Sequence, residues 1–333
     1  MTVSTAPTSV VEMQLDTTQR PWWSREAEPI LAALGEHFAG DPAGSALPEP
    51  GDPAGLRARL RHVAPRLGAL TARIRAAFDQ AHAAAVVIPR LGLGGVEVDQ
   101  QRKAVFALAA LLGNPSANAP FQHVVWDVTN HGDHGSGHTS FSENDHKADY
   151  HTDNGALAVP ERFFLLYAVQ AARCGGGVSK LRDIRVIKKQ LEETLGGRSV
   201  IRVLTETTLP KRIPTALRAG ADVTADGYQY TPVFADTPLV RWRTHGLYKG
   251  LADRPEYDTP EVRTALDTVR DLLENGDEEL RQVIPTDGLL IVNNHIALHG
   301  RSAFTDPQRH LLRLRFHEPT DTETDLDEAD EFG

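Results

Sequence analysis

The chain has 333 residues, 41% of them hydrophobic and 24% charged, which suits one elaborated globular domain, or two at most, and excludes wholesale disorder or a fibrous repeat. Forty-five acidic residues against 35 basic ones leave a net charge of −10, the wrong sign for a chain whose main task is to neutralise phosphates, so nucleic acid is not an expected partner. Much of the excess is local, because Asp321, Glu323, Asp325, Asp327, Glu328, Asp330 and Glu331 crowd the C-terminal end with no base among them.

Residues 1–18, rich in Ser, Thr and Val without periodicity, predict a flexible N-terminal arm. A helix is expected over 24–38, where Ile30, Leu31, Leu34 and Phe38 follow the 3.6-residue period behind Ser24 as N-cap. After a Pro- and Gly-rich break at 41–54, a longer helix is expected over 56–85, kinked at Pro65, and a third over 100–112. Residues 19–120 therefore read as mainly helical. From 121 onward the character changes to short runs rich in Val, Ile, Leu and aromatics, at 123–128, 163–169, 199–204, 228–234, 238–243, 288–292 and 311–316. Only two helices are expected among them, over 184–195 behind Asp183 and over 260–274 behind Thr259-Pro260. Short strands without regular βα alternation predict an α+β chain with a mainly β core, an antiparallel sandwich or jelly roll over 121–318, in a single domain spanning 19–318. The acidic segment 319–333 reads as a disordered tail. A lone cysteine, Cys174, rules out an internal disulfide and fits a reducing compartment, and neither an export signal nor a long apolar run is present. The cytoplasm is the expected location and a membrane partner is not expected.

Six of the 14 histidines fall between His123 and His151, in a stretch crowded with Gly, Ser, Asn and Asp. Within it, His151-Thr-Asp153 places an imidazole and a carboxylate two residues apart, which on an extended backbone is one face, so both can reach one ion. The tripeptide alone is weak, since this composition produces about one His-x-Asp by chance, and His131-Gly-Asp133 is a second instance. Context favours His151, which precedes an apolar strand, over His131 in its Gly-rich loop. A third donor would complete a two-His, one-carboxylate set that leaves positions of an octahedral metal open. The apolar run that starts at Asp287-Gly288 leads into a loop bearing His295 and His299-Gly-Arg301, two histidines that are rivals for that place. A second strand then returns with Arg313 and Arg315 on alternate positions.

Taken together, these motifs resemble the clavaminate synthase-like, taurine dioxygenase-like branch of the Fe(II)/2-oxoglutarate oxygenases, over about 121–317. The resemblance implies a double-stranded β-helix core, with His151, Asp153 and His299 holding Fe(II). It implies that Arg313, 14 residues after His299, grips the distal carboxylate of 2-oxoglutarate, with Arg315 as the competing position on the same strand face. It extends to Gly176-Gly177-Val178-Ser179 followed by Asp183, where Ser179 stands for a threonine that helps bind the co-substrate. The implied reaction consumes O2, releases succinate and CO2, and hydroxylates a free amino acid or an amino-acid-derived small molecule, with desaturation or cyclisation as alternative outcomes. Halogenating relatives lack the carboxylate ligand, so Asp153 favours an oxygen-derived product. Some amino-acid-oxidising relatives carry a further arginine four residues after the co-substrate one; counted from Arg313, that place is His317. Substrate contacts are sought among Arg301, Arg241 and Arg243, and a lid around His131, His134, His138 and His146. Two rival readings are a cupin-like metal-binding protein without turnover and a zinc hydrolase on the same donors. The arginine strand and Ser179 argue against the hydrolase, which has no use for a 2-oxo-acid clamp.

Overall fold

A computed structural model of the chain describes residues 9–16, 21–117, 122–130, 145–235, 238–277 and 279–319. The acidic tail beyond 319, the His131-Gly-Asp133 tripeptide and the histidines at 134 and 138 lie outside the described residues. Part of the arm expected over 1–18 is ordered: β1 (Val10–Glu12) adds a parallel strand to the edge of a sheet, and the Met13 N–H continues the ladder to the Val87 carbonyl at 2.8 Å. An open sheet edge offers unpaired N–H and C=O groups, and the apolar side chains of Val10, Val11 and Met13 can cover the adjoining core.

Helix α1 (Trp23–His37) matches its expected span, but Ser24 lies within the first turn and its hydroxyl donates to the Pro21 carbonyl at 2.8 Å instead of capping. The long helix expected over 56–85 is two helices and a strand. Asp52 caps α2 (Pro53–Val63) by accepting from the Gly55 N–H at 2.9 Å. The chain breaks at Ala64 because proline at 65 disfavours helical backbone in the residue before it, yet fits the first position of α3 (Pro65–Asp79). Glu26, buried on α1, accepts from the N–H groups of Arg66 and Leu67 at 2.7 and 3.0 Å and so caps that start from outside. The chain then enters β2 (Ala85–Ile88), buried at every residue, followed by α4 (Val98–Leu112) and β3 (Asn114–Ser116).

The second part holds β4 (Trp126–Thr129), β5 (Ala148–His151), β6 (Phe163–Gln170), β7 (Ser179–Asp183), α5 (Ile184–Glu193), α6 (Gly197–Glu206), β8 (Leu209–Arg212), β9 (Tyr228–Thr231), α7 (Thr244–Asp253), α8 (Pro260–Asn275), β10 (Leu280–Gln282), β11 (Leu289–Asn293), β12 (Ala297–Arg301) and β13 (His310–His317). Among the described residues four α-helices, not two, interrupt these strands. The run at 199–204 expected as a strand is the body of α6: Val200, Val203 and Leu204 recur three and four apart and are buried together, so the helical period prevails over the β-branched composition. Residues 238–243 form no strand and contribute only isolated bridges, Phe234 to Val240 and His151 to Arg243.

Among the described residues the chain is thus α+β, with eight α-helices. The larger sheet runs β1-β2-β11-β6-β13-β3, with β4 also paired to β13, and the smaller runs β10-β7-β12-β5. Since β1, β2 and β3 come from residues before 121, the helical part contributes strands to the main sheet and is not a separate layer of helices. Period-2 alternation explains why the central strands read as unbroken apolar runs. Phe163, Leu165, Tyr167, Leu289, Ile291, Leu312, Leu314 and Phe316 pack with the helices of the first part. Their neighbours Phe164, Ala168, Leu290, Val292 and Leu311 pack instead with Leu181 and Leu298 of the smaller sheet. On β13 the same alternation sends Arg313 and Arg315 into the space between the sheets. No described helix is long and apolar enough to cross a membrane.

Candidate active site

His151 ends β5 and His299 lies on β12, and the two residues are direct partners in the antiparallel register. Opposed residues share a face, so the imidazoles meet, with ring centroids 4.3 Å apart. Asp153, two residues on, completes the group: its Oδ1 is 3.5 Å from His151 Nε2 and 3.4 Å from His299 Nε2. One donor atom from each of the three lies within 4.8 Å of the others, and all three residues are buried. His151 Nδ1 meets the Asp149 carbonyl at 2.8 Å, which fixes the ring and leaves Nε2 facing Asp153. Both ring nitrogens of His299 are buried without a hydrogen-bond partner among the described residues, as suits a ring whose lone pair serves a cation.

The electrostatics point the same way. Burial, then the neighbouring imidazole and the Arg243 charge, hold His151 well below the ordinary histidine range. Burial, then Arg243 and Arg315, push His299 down to about 3. Both rings are therefore neutral at physiological pH, the form that binds metals. This has a consequence for the metal-free protein. A histidine that binds its proton less well folded than unfolded lets the unfolded chain take up extra protons as pH falls, so stability is lost from about pH 6.5 downward, toward the pKa near 3. By pH 5, His299 alone is expected to cost about 2 kcal/mol. Urea midpoints of chelator-treated protein at pH 7.5, 6 and 5 should fall accordingly, and His299→Asn should flatten the fall. An unchanged slope in that variant would show that the ring takes up its proton inside the fold.

Side chains that carry no metal donor hold the Asp153 backbone. The Asn294 amide accepts from the Asp153 N–H at 2.9 Å and donates to its carbonyl at 3.1 Å and to the Glu161 carbonyl at 2.9 Å. Asn154, at φ 47°, donates to both carboxylate oxygens of buried Glu161. Thr152 ties the same turn to residues 240 and 242 through its hydroxyl and its N–H. His295, the rival distal histidine, is turned away, with its Nε2 3.0 Å from the Pro160 carbonyl.

A cavity between the sheets runs from the His151 and His299 rings to Ser179, Arg301 and Arg309, walled by Phe164, Leu166, Leu181, Leu290 and Leu311, with Arg313 on its side. Ser179 and Arg301 are direct partners in the β7–β12 register. Arg313 reaches back to the cluster: its guanidinium meets Asp153 Oδ2 and lies 5.1 Å from the Phe164 ring centroid. Burial and the charge of Arg315 push Arg313 down to about 9, so it remains charged. Arg315, the competitor on the same face, is 3.8 Å from the Glu161 carboxylate and lies over Trp126, and it does not line the cavity.

Arg309 is the residue that sequence reasoning passed over. It is buried, its Nη1 has no hydrogen-bond partner among the described residues, and its guanidinium lies over the Phe304 ring at 4.7 Å. Gly177 makes room for it, since a Cβ there would sit 2.9 Å from Arg309 Nε. Burial and the charge of Arg301 push Arg309 down to about 10, and burial does the same to Arg301. The available signal was period 2: Arg309 stands just before β13, two residues ahead of Leu311 and four ahead of Arg313, although the β6–β13 register shifts between His310 and Leu311. Of the remaining candidates, Arg301 donates to the His146 carbonyl at 2.7 Å, and Arg241 donates to the carbonyls of Gly155, Leu157 and Ala158, away from the cluster. Arg243 is placed beside His151 by the isolated bridge.

A family model described as "Taurine catabolism dioxygenase TauD, TfdA family" matches residues 48–315. A search of curated proteins finds no match. Among solved structures, an asparagine oxygenase in complex with Fe(II), 3-hydroxyasparagine and succinate superposes with a TM-score of 0.65 at 17% identity, covering 92% of this chain and 93% of that one. The non-haem iron oxygenase OrfP in complex with iron and α-ketoglutaric acid gives a TM-score of 0.64 at 18% identity, covering 92% and 94%. At such identities the likeness speaks for the fold.

Proposed function

The chain belongs to the taurine catabolism dioxygenase TauD, TfdA family and is a dioxygenase, and from that premise we propose that it is a non-haem Fe(II)- and 2-oxoglutarate-dependent enzyme that hydroxylates a free amino acid or a small molecule derived from one. We read the two facing sheets as a double-stranded β-helix within a single domain. The observation that carries the reading is one cavity that has two imidazoles, grouped with the Asp153 carboxylate, at one end and Ser179 with two guanidiniums at the other. The donor set fits Fe(II): His151, Asp153 and His299 would hold it, and the orphaned nitrogens of His299 mark where a cation is wanted. Bound there, iron supplies the redox chemistry by which O2 is activated as 2-oxoglutarate is decarboxylated to succinate and CO2 and a substrate C–H becomes C–OH.

The chain's own residues do the placing. Ser179 and Arg309, with Arg301 beside them, receive the distal carboxylate of 2-oxoglutarate, because they form the polar end of the cavity. This moves to Arg309 the role expected of Arg313. The relatives' second arginine then falls on Arg313 itself, four residues on, and Arg313 at the metal cluster takes the carboxylate of the substrate. The aliphatic and aromatic walls keep water away from the reacting atoms. The asparagine oxygenase and OrfP, whose complexes hold hydroxylated amino acids, support this substrate class.

The test is anaerobic loading with Fe(II) and 2-oxoglutarate, read by visible absorption, followed by exposure to air with a panel of amino acids. Iron-dependent succinate release, raised several-fold or more by at least one amino acid, is the expected result. Metal binding without any 2-oxoglutarate turnover would leave only the cupin-like reading.

A further inference from the structure

The β5–β12 ladder sets two of the three metal donors and stops short of the third. His151 and His299 are opposed in its register, and β5 ends at His151. Asp153 lies past that end and is buried, so its N–H and carbonyl need partners that this ladder does not supply. One side chain supplies both. The Asn294 amide oxygen accepts from the Asp153 N–H at 2.9 Å, and its NH2 group donates to the Asp153 carbonyl at 3.1 Å and to the Glu161 carbonyl at 2.9 Å.

The residue type suits the task. Three backbone groups, one donor and two acceptors, face a primary amide, which carries one acceptor and a two-proton donor. Reversing the amide would set its oxygen against two carbonyls, so the contacts themselves fix which atom is which. Asn294 is also well anchored. It is 1% exposed, it stands in the turn between β11 of the larger sheet and β12 of the smaller, and its own N–H donates to the Arg162 carbonyl at 2.7 Å. That turn leads into the strand carrying His299, so the segment that brings one ligand also holds another.

Resting on the Fe(II) reading above, we propose that Asn294 is a positioning residue of the metal site, taking the place of a strand partner beyond His151 and setting the Asp153 carboxylate against the two imidazoles. With the peptide groups on both sides of Asp153 held, its backbone dihedrals are fixed, and so is the direction of its Cα–Cβ bond. The carboxylate then divides its oxygens, with Oδ1 3.5 and 3.4 Å from the Nε2 atoms of His151 and His299 and Oδ2 on Arg313. Asn294 itself gives no donor to the metal. It orders the turn during folding, so that binding a cation does not have to.

The experiment measures anaerobic Fe(II) binding to the chelator-treated full chain, by competition with a chromophoric chelator, together with urea midpoints in the absence and presence of Fe(II). Asn294→Ala should weaken Fe(II) binding about 10- to 100-fold, as loss of an outer partner of a metal ligand does. The rise in midpoint that Fe(II) produces should shrink with it, because that rise follows the logarithm of affinity. A residue that only supports the fold lowers both midpoints together and leaves the rise intact. Gln101→Ala supplies that pattern as a control, since its buried amide donates to the Leu93 and Val96 carbonyls from α4, at 3.3 and 2.7 Å. Asn294→Ser, which keeps one small polar group, should fall between alanine and the unaltered protein. Under saturating Fe(II), 2-oxoglutarate binding read by visible absorption should stay close to that of the unaltered protein, because Ser179 and Arg309 are untouched. An Fe(II)-induced rise unchanged in Asn294→Ala and Asn294→Ser, or a 2-oxoglutarate loss as large as the iron loss, overturns the proposal. Failure of both variants to fold makes Asn294 a residue of the fold and overturns it as well. If the unaltered protein binds no Fe(II), the metal reading itself fails and this proposal falls with it.

Discussion

Replacing either His151 or His299 by alanine is expected to abolish Fe(II) binding and turnover while leaving a folded protein. Each ring supplies one of only three donors, and loss of a mere outer partner of a metal ligand already costs about 10- to 100-fold in affinity. Removal of a donor should exceed that. The fold should survive because neither ring anchors the core: His299 makes no hydrogen bond among the described residues, and His151 makes a local one to Asp149. Removing the His299 ring, buried without a hydrogen-bond partner among the described residues, also relieves a desolvation cost. His295→Ala is the control. Its ring faces Pro160, so this variant should bind iron as the unaltered protein does. Anaerobic Fe(II) titration, succinate release and circular dichroism on the three variants decide the matter, and iron retained by His299→Ala, or lost by His295→Ala, would refute the ligand assignment.

Arg309→Ala should raise the apparent 2-oxoglutarate requirement far more than any other single change at the polar end of the cavity. Truncating one partner of a buried charge pair costs on the order of 2 to 5 kcal/mol, about 30-fold to several thousand-fold in affinity. Ser179→Ala removes a neutral donor worth about 0.5 to 1.5 kcal/mol, so roughly a 2- to 10-fold rise is expected. Arg313→Ala should spare the 2-oxoglutarate requirement and raise the KM of the amino acid instead, because its guanidinium meets Asp153 at the metal cluster. The three variants must be compared under saturating Fe(II), varying one substrate at a time. If Arg313→Ala carries the larger 2-oxoglutarate penalty, the clamp is Arg313, as the spacing from His299 first suggested.

The metal cluster was legible in the sequence because its chemistry is local: His151 and Asp153 are separated by one residue on an extended backbone, and His299 carries a recognisable Gly-Arg behind it. The central strands were legible for a similar reason, since a face buried on each side leaves a run as apolar as 289–292. What escaped depends on partners distant in sequence. Val10 and Val11 form a strand only because β2 presents an edge 75 residues later. Residues 199–204 carry β-branched side chains that tertiary packing overrides in favour of a helix. Arg309 gave no signal under a rule that counts from His299, whereas in the fold it lines the cavity together with Ser179 and Arg301. Asn294, which holds Asp153 from both sides of its peptide group, sits between an asparagine and a histidine and looks like ordinary loop polarity until the 141-residue gap is closed.

The isolated bridge between His151 and Arg243 also bears on how such a chain diverges. β5, β7 and β12 are knitted into a continuous ladder, so a change there disturbs the ligands and their neighbours together. The segment carrying Arg243 is joined to the end of that ladder by this bridged pair and by the hydrogen bonds of Thr152 to residues 240 and 242. Those ties run through buried Val240 and Trp242, so within this segment it is the Arg243 side chain, which carries none of them, that can vary with the least penalty to iron binding. A library randomised at position 243 should therefore retain far more folded, iron-loading members than one randomised at Leu298 or Gly300 of β12.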